Sequence, residues 1–159
     1  MSKDEISDFL TGGGSKSAKF EELGDSVEGT ITSAELTQQT DLETQAPLFW
    51  TDGKPRMQLV VGIQTDGERA DDNDDGVRKV YAKGGAYEVS SGSGKSMKDA
   101  IADAVKKANA PTLEVGGWIK VAYTGEGKKT NRGFSAPKLY KAAYKAPVQS
   151  VAAADLFED

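Results

Sequence analysis

The apolar residues of this chain change period once and then change back, and that restricts the fold more than any other feature. Val27 and Ile31, with Leu36 beyond them, mark an alternating segment over residues 26–37. Alternation of this kind is the pattern of a strand with one buried face. Arg56-Met57-Gln58-Leu59-Val60-Val61-Gly62-Ile63-Gln64 reads as a buried second strand, and residues 77–82 as a third. Over residues 96–109 the period becomes helical. Met97, Ile101, Ala104, Val105 and Ala108 fall on one face, with Lys98, Asp99, Asp103, Lys106 and Lys107 elsewhere. Ser96 with Asp99 three residues on resembles a capping box, and Pro111 stops the helix. Strand patterns return at residues 118–124 and 137–145.

Three strands, one helix and two strands is the order of the OB-fold. The expectation is therefore an all-β protein, a five-stranded Greek-key barrel with one helix between strands 3 and 4. Other small all-β folds with an inserted helix share the count. A length of 159 residues suits one domain, large enough to hold a core without staples. Residues 1–19 read as a flexible N-terminal segment, because Gly12-Gly13-Gly14-Ser15 cannot hold regular structure alone. Ile6, Phe9 and Leu10 form a small apolar patch there, which either docks on the barrel or a partner or frays. The barrel is expected over residues 20–146 and an acidic, disordered tail over 147–159.

The chain has no cysteine and no histidine. Disulfides, thiolate metal sites, cysteine nucleophiles and His-based triads are excluded. The formal net charge of −5 conceals a separation of signs. Residues 1–75 hold 6 basic and 17 acidic side chains, residues 76–154 hold 14 and 5, and the last five residues add three acids. A clustered basic half suggests a face for polyanions, although uneven charge on an ordinary protein surface would look the same. No apolar run approaches membrane-spanning length and no signal peptide opens the chain, so a cytoplasmic location is the default.

Two catalytic-looking motifs are incomplete. Ser93-Gly94-Lys95-Ser96 ahead of a helix evokes a phosphate loop, but the glycine required five positions before Gly94 is Val89. Asp71, Asn73, Asp75 and Gly76 match the first half of a calcium loop, yet its twelfth position is Ala82 rather than Glu. Carboxylates are plentiful in the acidic half, but no apolar pocket sets two of them apart for acid–base work. The expectation is a non-enzyme with no cofactor and no metal.

Basic residues interleaved with aromatics carry the functional signal. Lys79 and Tyr81 share one face of the third strand, with Lys83 beyond them and Val80 and Ala82 behind. Trp118 and Lys120 share a face opposite Ile119 and Val121, whereas Tyr123 falls with the core residues. Lys128, Lys129, Arg132 and Phe134 crowd a Gly-containing loop, and Lys138, Tyr140 and Tyr144 share a face of the last strand, with Lys141 and Lys145 beside them. Single-stranded nucleic acid asks for this pairing, cations for the backbone and ring faces for unpaired bases. Trp50, near Lys54 and Arg56 in the first long loop, either stacks a base at the barrel mouth or plugs one end of the barrel. The backbone candidates are Arg56, Lys79, Lys83, Lys120, Lys128, Lys129, Arg132 and Lys138. The stacking candidates are Trp50, Tyr81, Trp118, Phe134 and Tyr140.

Asp8-Phe9-Leu10-Thr11-Gly12-Gly13-Gly14, Ala18-Lys19-Phe20 and Gly24-Asp25-Ser26-Val27-Glu28-Gly29-Thr30-Ile31 carry a further resemblance. So do Lys54-Pro55-Arg56-Met57-Gln58-Leu59-Val60-Val61 and Arg132-Gly133-Phe134. Together they resemble the OB-fold single-stranded-DNA-binding proteins of bacteriophages that infect actinobacteria, over most of the chain from Asp8 to Tyr144. The resemblance implies a non-catalytic protein that coats single strands during phage DNA replication, recombination or repair in the host bacterial cytoplasm. The final Asp155-Leu156-Phe157-Glu158-Asp159 is similar to the acidic tails of bacterial single-strand-binding proteins, which recruit replication and recombination partners. Those tails end in Pro-Phe, whereas here two acids follow Phe157. The tail could also compete with DNA for a basic groove. Self-association into a homo-oligomer is left open by the sequence.

Overall fold

The computed structural model describes residues 16–41, 43–65, 74–129 and 136–147. Among them seven strands form one curled, barrel-like sheet with a single helix packed on it: β1 (Lys16–Ser17), β2 (Ser26–Gln38), β3 (Met57–Gln64), β4 (Val77–Ala82), β5 (Val89–Gly92), α1 (Met97–Lys107), β6 (Trp118–Gly127) and β7 (Lys138–Lys145). The order across the sheet is β1-β4-β3-β2-β6-β5, with β7 paired along β6. Every pairing is antiparallel except β1 with β4. The alternating segments of the sequence become the five long strands, with the helix between the third and fourth of these.

Two short strands are additional to the expected five, and neither has an apolar alternation to announce it. β1 lies ahead of residue 20 and is held by its partner, with Lys16 opposite Arg78 and Ser17 opposite Lys79. β5 is exposed at all four positions and is recruited by the glycines of β6. A Cβ on Gly125 would lie 2.5 Å from the carbonyl oxygen of Ser93, so only glycine lets the two backbones approach this closely.

The core fills the concave side. Val27 and Ile31 of β2, Val61 and Ile63 of β3, Val80 and Ala82 of β4, and Ile119, Val121 and Tyr123 of β6 are all buried. Met97, Ile101 and Ala104 of α1 join the same cluster. The Ser96 hydroxyl caps the helix by accepting from the Asp99 amide, and Asn109 ends it in the left-handed region at φ 55°. Leu36 keeps its place in β2 but is 70% exposed, at the far end of the β2–β3 hairpin where Met57 is also exposed.

β4 and β7 do not pair with each other among the described residues. Residues 16–25 lie across that seam instead. The Ala18 amide donates to the Lys79 carbonyl (2.9 Å), and Gly24 and Tyr123 exchange contacts through Gly24 N–H to Tyr123 O and Tyr123 N–H to Asp25 O, each 2.8 Å. Between these anchors Phe20 is buried, edge-on to Tyr140 with ring centroids 5.2 Å apart. The segment is thus tied to β4 and to β6 by backbone hydrogen bonds and to β7 by an aromatic contact.

Candidate nucleic-acid interface

Burial of Val80 and Ala82 turns Lys79 and Tyr81 of β4 outward, as the alternation requires. Tyr81 is 43% exposed and stands in one row with Val60 of β3 and Glu35 of β2. Lys79 lies in the next row, beside Gly62 and Ser17. Lys83 is exposed just past the strand end. None of the ion pairs formed among the described residues uses Lys79, Lys83, Lys120 or Lys129.

Residues 39–56 fold back as an arm on the β2–β3 hairpin. Gln39 donates to the Arg56 carbonyl, Arg56 to the Leu48 carbonyl and Trp50 to the Lys54 carbonyl, at 2.7, 3.0 and 2.8 Å. The Asp52 carboxylate accepts from the Lys54 amide and fixes the turn at Gly53. Trp50 is 48% exposed at this turn, so it does not plug the barrel. The Arg56 guanidinium lies 4.5 Å from its ring centroid, a cation–π contact that holds ring and charge together.

A second aromatic–cation pair lies on the outer face of β6 and β7. Trp118 is in register with Lys145, whose ammonium lies 5.4 Å from the ring centroid. Lys120 is opposite Glu28 on one side and Ala143 on the other, and Lys141 is opposite Ala122. Two strands, β3 and β2, separate this pair from Tyr81, so the sequence-expected residues form two patches rather than one.

The last strand corrects two assignments. Tyr140 and Tyr144 do share a face, but it is the inner one. The buried Tyr144 hydroxyl accepts from the Glu114 amide at 3.0 Å. Tyr140 packs against the core between Phe20 and Tyr123, so its ring is not a platform for a base. Burial, with the neighbouring Tyr123 phenol second, raises its pKa. Lys138, exposed at the start of β7, donates to the Phe20 carbonyl and lies 5.3 Å from the Tyr123 ring, which links it to the seam. Lys128 is exposed and pairs with Glu88 at 3.1 Å. Arg132, Phe134 and the tail residues Asp155, Leu156, Phe157, Glu158 and Asp159 lie outside the described residues.

One exposed aromatic was overlooked in the sequence. Tyr87 is exposed beside the contact between the Lys128 amide and the Glu88 carbonyl. Its signal is an aromatic within Gly84-Gly85-Ala86-Tyr87. Lys141 and Lys145, named beside the tyrosines in the sequence, are both exposed on β7.

The residues of the two incomplete motifs have structural partners. Lys95 pairs with Asp103, whose hydrogen bond raises the lysine pKa, and the same bond lowers that of Asp103. Asp74 caps the Gly76 amide at 2.8 Å and pairs with Arg78, and Asp75 accepts from the Val77 amide. Asp71 and Asn73 lie outside the described residues. Among those described, no three acidic side chains gather as a metal site, and no helix is long and apolar enough to cross a membrane.

Compared with known protein families, with curated proteins and with solved structures, the chain matches none.

Proposed function

We propose that this chain is an OB-fold protein that binds single-stranded DNA with little sequence preference, through the outer face of β3 and β4 and the arm before β3. The observation that carries the reading is the outward row of half-buried Lys79 and exposed Tyr81 on β4, continued by exposed Lys83 just past the strand, together with the Trp50–Arg56 pair on the arm. In OB-folds the second and third strands and the loops after the first and fourth bind oligonucleotides. Here those positions correspond to β3, β4, residues 39–56 and residues 128–137. Tyr81 and Trp50 offer ring faces to unpaired bases, and Lys79, Lys83, Arg56, Lys128 and Lys129 neutralise the backbone. The proposed role is to coat single strands in replication, recombination or repair, and the resemblance of the sequence to phage single-strand binders supports it.

An adaptor that docks proteins is the rival reading. Leu36, Phe49, Trp50 and Met57 favour it, since all four are exposed on one hairpin and its arm. Tryptophan emission separates the two. Single-stranded DNA should quench Trp50 in the DNA-binding protein. An adaptor would show no response to DNA, and that result would overturn the proposal.

A further inference from the structure

The outer face of β2 and β6, reaching the end of β3 at Gln64, contains a groove about 650 Å³ in volume. Ser26, Glu28, Thr30, Gln64 and Trp118 line it. One wall is an aromatic ring, with the Lys145 ammonium near its centroid. The other walls are rich in acceptors. Glu28 presents a carboxylate from the exposed side of β2. Gln64 donates its amide nitrogen to the Asp75 carbonyl (3.0 Å) and the Thr65 carbonyl (3.3 Å), which leaves its side-chain oxygen as the group able to accept. Gly29 keeps β2 close to the end of β3, because a Cβ there would meet the Gln64 carbonyl oxygen at 2.0 Å.

We propose that this groove is a base-reading subsite of the single-strand path. A base stacks on Trp118, and an amino group on its Watson–Crick edge donates to Glu28 and Gln64. Lys145 and Lys120 then meet the flanking phosphates. An ionised carboxylate can only accept, and it repels phosphate, so the groove selects a base edge over the backbone. Cytosine, adenine and guanine carry an exocyclic amino group and thymine carries none. The subsite therefore favours amino-bearing bases over thymine. This inference rests on the single-strand binding proposed above and adds to that sequence-tolerant path one base-selective contact, whose Trp118 is separated from Tyr81 by β2 and β3.

The two tryptophans of the chain allow the two faces to be read separately. With Trp50→Phe, only Trp118 emits, and with Trp118→Phe, only Trp50 does. In the Trp50→Phe protein, oligodeoxycytidine should quench Trp118 with an affinity roughly tenfold above that of oligothymidine. Glu28→Gln in that background should abolish the preference, since glutamine both donates and accepts. Quenching of Trp50 with Trp118 silent would overturn the subsite and leave single-strand binding standing. Equal quenching of Trp118 by both oligomers, unchanged by Glu28→Gln, would overturn the base reading. If neither tryptophan responded and a labelled strand showed no anisotropy change, single-strand binding would fail and the subsite with it.

Discussion

Tyr81 stands outside the sheet because its neighbours in sequence are inside it. Val80 and Ala82 fill the core and leave the tyrosine a ring face in solvent, with no partner ring among the described residues. A stacked base contributes about 1–3 kcal/mol by alanine substitution. Tyr81→Ala should therefore weaken single-strand binding by that amount in an anisotropy titration while leaving the thermal unfolding midpoint nearly unchanged. Parity made this residue legible, and likewise Trp118 and Lys120, because the apolar residues beside them were unambiguous. Parity failed on β7. Leu139, Tyr140 and Tyr144 all turn toward the core side, since the β6–β7 register shifts at Tyr123/Gly125 and Phe20 covers Tyr140. A tyrosine next to lysines reads equally well as platform or as core until the covering residue is known. The exposed Lys95–Asp103 pair gives a pH test at the same scale. The folded-state pKa of Asp103 is lowered chiefly by the hydrogen bond from Lys95, so its stabilisation is present above the ordinary carboxylate pKa and lost as pH falls through the lowered one. The difference in melting temperature between the native protein and Asp103→Asn should close on that acid side.

At the scale of elements, the half-barrel depends on what lies across its open seam. Phe20 is buried edge-on to Tyr140 of β7, within the segment tied to β4 and β6, and truncating a buried phenylalanine costs about 3–5 kcal/mol. Phe20→Ala should lower the urea midpoint by a corresponding amount. Hydrogen exchange should then rise first at Ala18, Gly24 and Tyr123, whose amides tie the seam. Ile119→Ala, in the centre of β6, should cost about 2–5 kcal/mol and destabilise the whole sheet together. The long strands and the helix were legible because each buries a regular apolar stripe. β1 and β5 were not, because their pairing is imposed by distant backbone. The arm at residues 39–56 was legible only as a turn-rich stretch. Its display of Trp50 depends on the long-range hydrogen bonds between Gln39, Leu48 and Arg56.

Across the whole molecule, the acidic first half and the basic second half are interleaved in one sheet, because β2 and β3 lie between β4 and β6. Cationic side chains therefore occur on two faces, with Glu28 and Glu35 between them. A strand held by such a surface should show strong salt dependence, with a log–log slope of about −0.7 per phosphate neutralised. Deleting residues 155–159 removes three acids and should tighten binding at low salt. The direct test of the proposed function is fluorescence anisotropy of a labelled mixed-sequence single strand, titrated at several salt concentrations beside its matched duplex. Tighter binding to the single strand, weakening linearly with the logarithm of salt, is the expected result. No binding to the single strand at low salt, or tighter binding to the duplex, would contradict it.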